Sequence, residues 1–439
     1  MRYLLRYTVT AVAVVLLGAL IACAPAETPT EAVTEAPPSL AGTWRAVLDS
    51  PGGELPFTLR FTDGAEGPVA EILNGDEETP TSRVEQNGSQ VIIHIEWYDS
   101  EITADLDGDR MTGTWRRTNP GEGNNSTLPF TATRGSDERF VQASAELVGT
   151  ADATAVESVS GDWAVEFVEE DGSTEPARGE FTQEGSRVTG TFLTPTGDYR
   201  FLEGIFEQGL LRLSTFDGAH AFLFVARVQP DGTLAGDFWS RDTYHATWTA
   251  RPATEDDGDI LPDSWSQAGL TNAEGNFHFE FPDLEGTPVS SEDPRFDGKV
   301  VIVNIFGTWC PNCNDEAPFL AQWAKRYRDQ GLEIVGLAYE FSGNPERDGE
   351  MVRRFADRHG VDYTLLLAGI NDKEAAGATL PDLTAVIAYP TSIFIGRDGK
   401  VRKIHSGFSG PGTGEHHTRL IAEQEALIEN LLSESAPSV

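Results

Sequence analysis

Apolar and polar positions alternate in short runs from residue 42 to about residue 250. Examples are "VIIHIEWY" at 91–98, "RVTGTFL" at 187–193 and "FLFVARV" at 222–228. Asn-Gly, Asp-Gly and Glu-Gly pairs separate them, and a period of two bounded by such turns predicts antiparallel strands. Two stretches share the same punctuation. Residues 42–134 open with Gly42-Thr43-Trp44 and later carry Gly113-Thr114-Trp115, while residues 161–250 open with Gly161-Asp162-Trp163 and later carry Gly236-Asp237-Phe238. The repetition predicts two copies of one all-β unit, as small barrels or a sandwich, with the tryptophans in the core. The pattern fits two small domains or one larger barrel.

From about residue 266 the period changes. "FHFEF" (277–281) and "KVVIVNIF" (299–306) predict strands. "CPNCNDEAPFLAQWAKRYRDQG" (310–331) predicts a helix with Leu320, Trp323 and Tyr327 on one face and Gly331 as its stop. "LEIVGLAY" (332–339) is a second buried strand and "PERDGEMVRRFADRHG" (345–360) another helix. "TSIFIGRDGKVRKI" (391–404) is a hairpin turning at Asp398-Gly399, and residues 415–432 form a closing amphipathic helix. Strands interleaved with helices make this region an α/β sandwich.

The N-terminus adds a location. "MRYLLRYTVTAVAVVLLGALIAC" places Arg2 and Arg6 ahead of an apolar run too short for an ordinary spanning helix, which predicts an export signal. Its end, Leu20-Ile21-Ala22-Cys23, resembles the bacterial lipobox, which implies lipidation at Cys23 and a lipid anchor in the bacterial cell envelope. "APAETPTEAVTEAPPS" then lacks the apolar content to fold and serves as a tether. The expected organisation is a signal peptide at 1–22, a tether at 23–40, repeats at 41–135 and 160–251, linkers at 136–159 and 252–265, and an α/β domain at 266–439.

Charge narrows the partners. Lys and Arg total 32 against 70 Asp and Glu, a formal net charge of −38. Such acidity repels phosphate backbones, so nucleic-acid binding is not expected.

Cysteine usage carries the chemistry. The chain contains only Cys23, Cys310 and Cys313. A structural bridge between Cys310 and Cys313 would close too short a loop to remove much chain entropy. Zinc would need further thiolates or imidazoles, and there is no second CxxC, while His416 and His417 adjoin rather than sit a helical turn apart; no metal is expected. Redox exchange explains the surroundings better. The strand "VVIVNIF" delivers Cys310 to the start of a helix, where free backbone N–H groups and the dipole favour a thiolate. Cys310 is then the nucleophile, and Cys313, one turn further in, resolves the mixed disulfide. Pro311 suits a first turn, where no amide hydrogen is needed.

From about Asn276 onward the chain resembles the TlpA-like branch of the thioredoxin superfamily, also called redoxin or AhpC/TSA-like. The resemblance rests on "FDGKVVIVNIFGTWCPNC" (296–313), followed by Glu316 and Pro318, and on "AYPTSIFIGRDGKV" (388–401). It covers roughly 160 residues and leaves the β repeats unexplained. It implies a thioredoxin-like fold in which Pro390 is cis and lies against the cysteines. Tyr389, Pro390 and Thr391, with Trp309 and Pro311, would then receive an extended client segment. Thioredoxin itself carries an acid where this chain has Asn304. The TlpA-like branch commonly has Asn there and an acid at the position of Glu316, which implies that Glu316 takes the proton from Cys313. The rival reading puts Glu316 on a wet helix face, complementing the helix N-terminus.

Asp315 is expected to be a surface acid, and His405, His416 and His417 to be solvated or helix-end residues. Neither Pro311 nor Asn312 supplies a positive charge, which favours a reductant or moderate exchanger over a strong oxidant. The implied function is a membrane-anchored extracytoplasmic thiol-disulfide oxidoreductase, periplasmic or facing the exterior. Its clients would be disulfide-containing exported proteins, its only redox group the Cys310–Cys313 disulfide, with no separate cofactor. Two alternatives stand beside it. A peroxiredoxin-like peroxidase would want threonine three residues before the nucleophile, where Gly307 stands and Thr308 is one residue late. A β-repeat binding protein would use the redox domain only for regulation.

Overall fold

The structure, a computed structural model, describes residues 38–435 apart from 66, 119–124, 137, 142–155 and 258. The leader, Cys23 and nearly all of the tether lie outside the described residues, as does most of the 136–159 linker. Among the described residues no helix is long and apolar enough to cross a membrane.

The first repeat is a nine-stranded antiparallel sheet. It runs from Glu77–Pro80 through Gly67–Asn74, Gly53–Gly64 and Gly42–Ser50 to Ser126–Arg134, then through Arg110–Arg117, Ser100–Asp107 and Gln90–Ile95 to Arg83–Asn87. In the second repeat the ladder returns on itself. Thr174–Glu184 pairs with both Gly161–Val168 and Arg187–Thr194, closing a barrel through Leu202–Glu207, Leu210–Phe216, Ala221–Val228, Leu234–Ser240 and Tyr244–Pro252.

The G-x-W openings have a shared physical reason. Gly42 and Gly161 have φ of 121° and 108°, which glycine adopts without a Cβ clash. The following indoles turn inward, and Trp44 Nε1 donates to Leu40 O as Trp163 Nε1 donates to Val159 O, both at 2.9 Å. The G-x-aromatic glycines are also equivalent. A Cβ on Gly113 would stand 2.0 Å from Thr103 O, and one on Gly236 1.9 Å from Val225 O. The copies share a core edge, since Phe216, Ala221 and Leu223 of the barrel pack with the first sheet's apolar side chains. Phe216 meets Trp115 edge-on at 5.4 Å.

The third sheet has the order Thr364–Ile370, Leu332–Glu340, Val300–Phe306, Thr391–Ile395, Val401–Ser406. The first three strands are parallel and the last two antiparallel. Every residue of Val300–Phe306 is buried, as expected of a strand covered on both faces. Val300 and Ile302 pack with Leu320, Trp323 and Tyr327 of helix Pro311–Tyr327 and with Ile428 and Leu431 of helix Glu415–Ser433. Val301, Val303 and Ile305 face the other way, towards Val352 and Phe355 of helix Pro345–His359.

One expectation fails locally, and two elements go unread in the sequence. "FHFEF" is mostly irregular, with only Glu280–Pro282 in a strand, because Phe277 and Phe279 are buried as loop residues packed against the domain core. Strand Thr364–Ile370 and helix Lys373–Thr379 were not anticipated, since short apolar and alanine-rich runs carry little periodicity.

Candidate functional site

The central strand ends at Phe306, and the chain turns through Gly307–Cys310 into helix Pro311–Tyr327. Cys310 is the extended N-cap residue and Pro311 opens the helix. The turn is pinned from two sides. Thr308 donates from N and Oγ1 to the Glu340 carboxyl at 2.8 and 2.7 Å, and Asn314 Nδ2 donates to Thr308 O and Cys310 O. Burial pushes Glu340 up to about 8. Gly307 is required where it stands, because a Cβ there would lie 2.2 Å from Trp309 Nε1. The threonine of the peroxidase pattern therefore has no room on this backbone.

Cys310 and Cys313 are free thiols, 5% and 2% exposed. Cys310 Sγ donates to Tyr389 O at 3.3 Å, and the Tyr389–Pro390 peptide is cis. Trp309 stacks edge-on against Tyr389 at 5.3 Å and donates Nε1 to Tyr339 O. Thr391 Oγ1 closes the proline loop onto Ala388 O at 2.8 Å. The structure thus gathers Trp309, Cys310, Tyr389 and Pro390 in one place, with Pro311 and Thr391 directly adjoining.

Glu316 is 1% exposed, so it does not sit on a wet helix face. Asn304 Nδ2 donates to its Oε2 at 2.7 Å and Ser392 Oγ to its Oε1 at 3.0 Å. Burial outweighs these two donors and pushes the carboxyl up to about 7. Burial likewise pushes the Cys313 thiol well up, with the neighbouring Cys310 and Glu316 adding to it.

Two expectations are corrected here. Asp315 is no surface acid. It is largely buried, and Arg200 Nη1 of the second repeat pairs with it at 2.9 Å. The same guanidinium pairs closely with Glu77 of the first sheet and lies 3.6 Å from Asp217, so one cation joins both repeats to the redox helix. Burial, with Asp198 and Glu77 nearby, pushes Asp315 up to about 7 against the pull of Arg200. His405 is not solvated either. Trp265 packs over it at 4.6 Å, it is 4% exposed, and burial drives its pKa down to about 4. His416 and His417 do lie in the first turn of the closing helix, bonded to Glu180 and Ser409 O.

Helical periodicity could not reveal the Asp315 contact, because its partner comes from another domain. Nor does Arg200 stand out in "GDYRF" (197–201), because charged residues recur throughout the barrel sequence. Replacing Arg200 with Met removes the cation shared by three acids, and is expected to destabilise the protein by about 3–5 kcal/mol. A urea melt of the variant should show the lowered midpoint, with Arg200→Lys intermediate.

Residues 267–418 match the redoxin family. The thiol-disulfide oxidoreductase ResA of Halalkalibacterium halodurans is 31% identical over 130 residues, 30% of this chain and 65% of that protein. The thioredoxin-like protein YneN of Bacillus subtilis is 28% identical over 144 residues, 33% of this chain and 76% of that protein. A solved thiol:disulfide interchange protein from Chlorobium tepidum TLS aligns with 36% of this chain and 96% of its own, at 24% identity and a TM-score of 0.27. The chain spans just under two thirds of the length of the ResA relatives it matches. The C-terminal part of the chain is a redoxin domain of thioredoxin-like fold, set behind an all-β antiparallel region.

Proposed function

We propose that the protein is a thiol-disulfide oxidoreductase that reduces disulfides through the Cys310–Cys313 dithiol. The observation that carries this reading is the placement of Cys310 at a helix N-cap against the Tyr389–Pro390 carbonyl, with Cys313 and a buried carboxyl behind it. The Cys310 thiolate attacks a client disulfide, forming a mixed disulfide and releasing one client thiolate. Cys313 then gives its proton to Glu316 and attacks Cys310 Sγ. That bond shift releases the second client thiol and leaves Cys310–Cys313 oxidised by two electrons, to be reset by an external dithiol.

A carboxyl near 7 suits this proton transfer, since it is partly ionised at neutral pH and can return the proton in the reverse step. Trp309, Pro311, Tyr389, Pro390 and Thr391 line the place where a client segment would lie. The absence of a positive charge on Pro311-Asn312 and the raised Cys313 thiol support the reductant direction. The leader and Cys23 support an exported, lipid-anchored protein of the cell envelope acting on exported disulfide proteins. The test is dithiothreitol-driven insulin reduction followed by turbidity. Catalysis above the dithiothreitol background supports the reading, and a rate at background overturns it.

A further inference from the structure

The turn that follows barrel strand Arg187–Thr194 lies against the redox helix. Asp198 Oδ2 accepts from Asn312 Nδ2 at 2.8 Å and from Gly410 N at 2.7 Å, while its Oδ1 accepts from Arg200 N at 2.7 Å. Gly197 stands so close that a Cβ would lie 2.6 Å from Asn312 Oδ1. Thr196 O lies 2.7 Å from where a Cβ on Gly407 would stand, and Gly407 N in turn donates to Pro390 O. Pro195 O accepts from Gln267 Nε2 at 2.8 Å, and Arg200 completes the seat through Asp315.

Asn312 lies between the two cysteines at the tip of the helix, yet it is 7% exposed, and Cys310 and Pro390 are buried beside it. A helix tip meant to meet any protein disulfide would be open. This one is covered by a segment contributed by a different domain, one residue removed from the proline loop.

We propose that Pro195–Arg200 is a client-selecting element: seated on Asn312 and beside the proline loop, it slows the approach of bulky protein disulfides to Cys310 relative to small ones. The proposal rests on Cys310 as the entering nucleophile. Access then depends on how often the segment lifts, and a bulky client needs more of that motion than a small one.

Gly197→Ala in the full chain tests it. The backbone at Gly197 lies outside the left-handed region, so alanine is tolerated by the chain itself, and its methyl presses on the Asn312 side chain, 2.6 Å from Oδ1 and 3.1 Å from Cγ. Alkylation of Cys310 in the reduced protein is timed with iodoacetamide and with a maleimide on a long polyethylene glycol. Reduction is timed with hydroxyethyl disulfide and with insulin. The bulky-to-small rate ratio should rise about fivefold or more in both pairs, with small-probe rates changing less than about twofold.

Asp198→Asn, which keeps the size and removes the charge, should shift the ratio the same way and serves if Gly197→Ala does not fold. An unchanged ratio in a folded variant, or small and bulky rates moving together, overturns the proposal. Failure of the redox reading is seen separately, as no Cys310-dependent reduction of hydroxyethyl disulfide by the wild type, while the alkylation ratio still decides whether the segment selects.

Discussion

Cys310→Ser is expected to bring disulfide exchange down to the dithiothreitol background, whereas Cys313→Ser should stop turnover at the mixed disulfide. The asymmetry follows from position. Cys310 caps the helix beside the proline loop, where an entering sulfur can line up with it, and Cys313 lies one turn deeper. A serine at 310 leaves no thiolate to form the first bond. With serine at 313 the first bond still forms, and nothing inside the protein breaks it. Non-reducing gels of Cys313→Ser incubated with oxidised insulin should show a covalent adduct that dithiothreitol removes. The double variant should show none. An adduct on Cys310→Ser of comparable yield would reverse the two roles.

Glu316→Gln is expected to slow exchange by about 100-fold near neutral pH, the scale of a positioned proton acceptor. The variant keeps the side chain's size and both neighbours, so lost packing is not the cause. Two readouts separate catalysis from structure. In the wild type the rate of the Cys313 attack should climb with pH through about 7, as the carboxyl ionises, and the variant should lose that limb.

Stability should move the opposite way. The folded pKa lies above the ordinary glutamate value of 4.5, so the folded protein holds this proton more tightly than the unfolded chain. The associated stability is fully present below about 4.5 and is lost as pH rises through about 7, on the order of 3 kcal/mol for this group. Glu340, raised to about 8, acts in the same direction. Urea melts between pH 5 and 8 should therefore weaken with rising pH, less steeply in Glu316→Gln; an identical slope in both proteins would remove Glu316 from the account.

Much of the redox domain was legible because its signals are local. The all-apolar run Val300–Phe306, the proline after Cys310 and the Leu320–Trp323–Tyr327 stripe each reflect a short-range constraint on strand, cap or helix face. The repeat glycines were legible for the same reason, since Gly113 and Gly236 permit a backbone approach that no side chain would allow. What stayed hidden was long-range. Asp315 reads as a solvated acid on its own helix, and only the folded chain brings Arg200 to it from 115 residues away. Glu316 beside it shows the converse, because a carboxyl on the buried side is held by Asn304 and Ser392, 12 and 76 residues distant in sequence. The covering of Asn312 by Asp198 likewise depends on how barrel and redox domain pack, which no periodicity within either one encodes.

The most direct measurement equilibrates the wild-type protein across glutathione and dithiothreitol buffers, quenches by alkylation and counts labels on the 310–313 peptide by mass spectrometry. Two labels should give way to none in one two-electron step, with a midpoint between about −200 and −300 mV, well below the roughly −120 mV of the strongest periplasmic oxidants. Labelling that never changes with poise, or that changes at one cysteine without the other, would contradict a cycling dithiol.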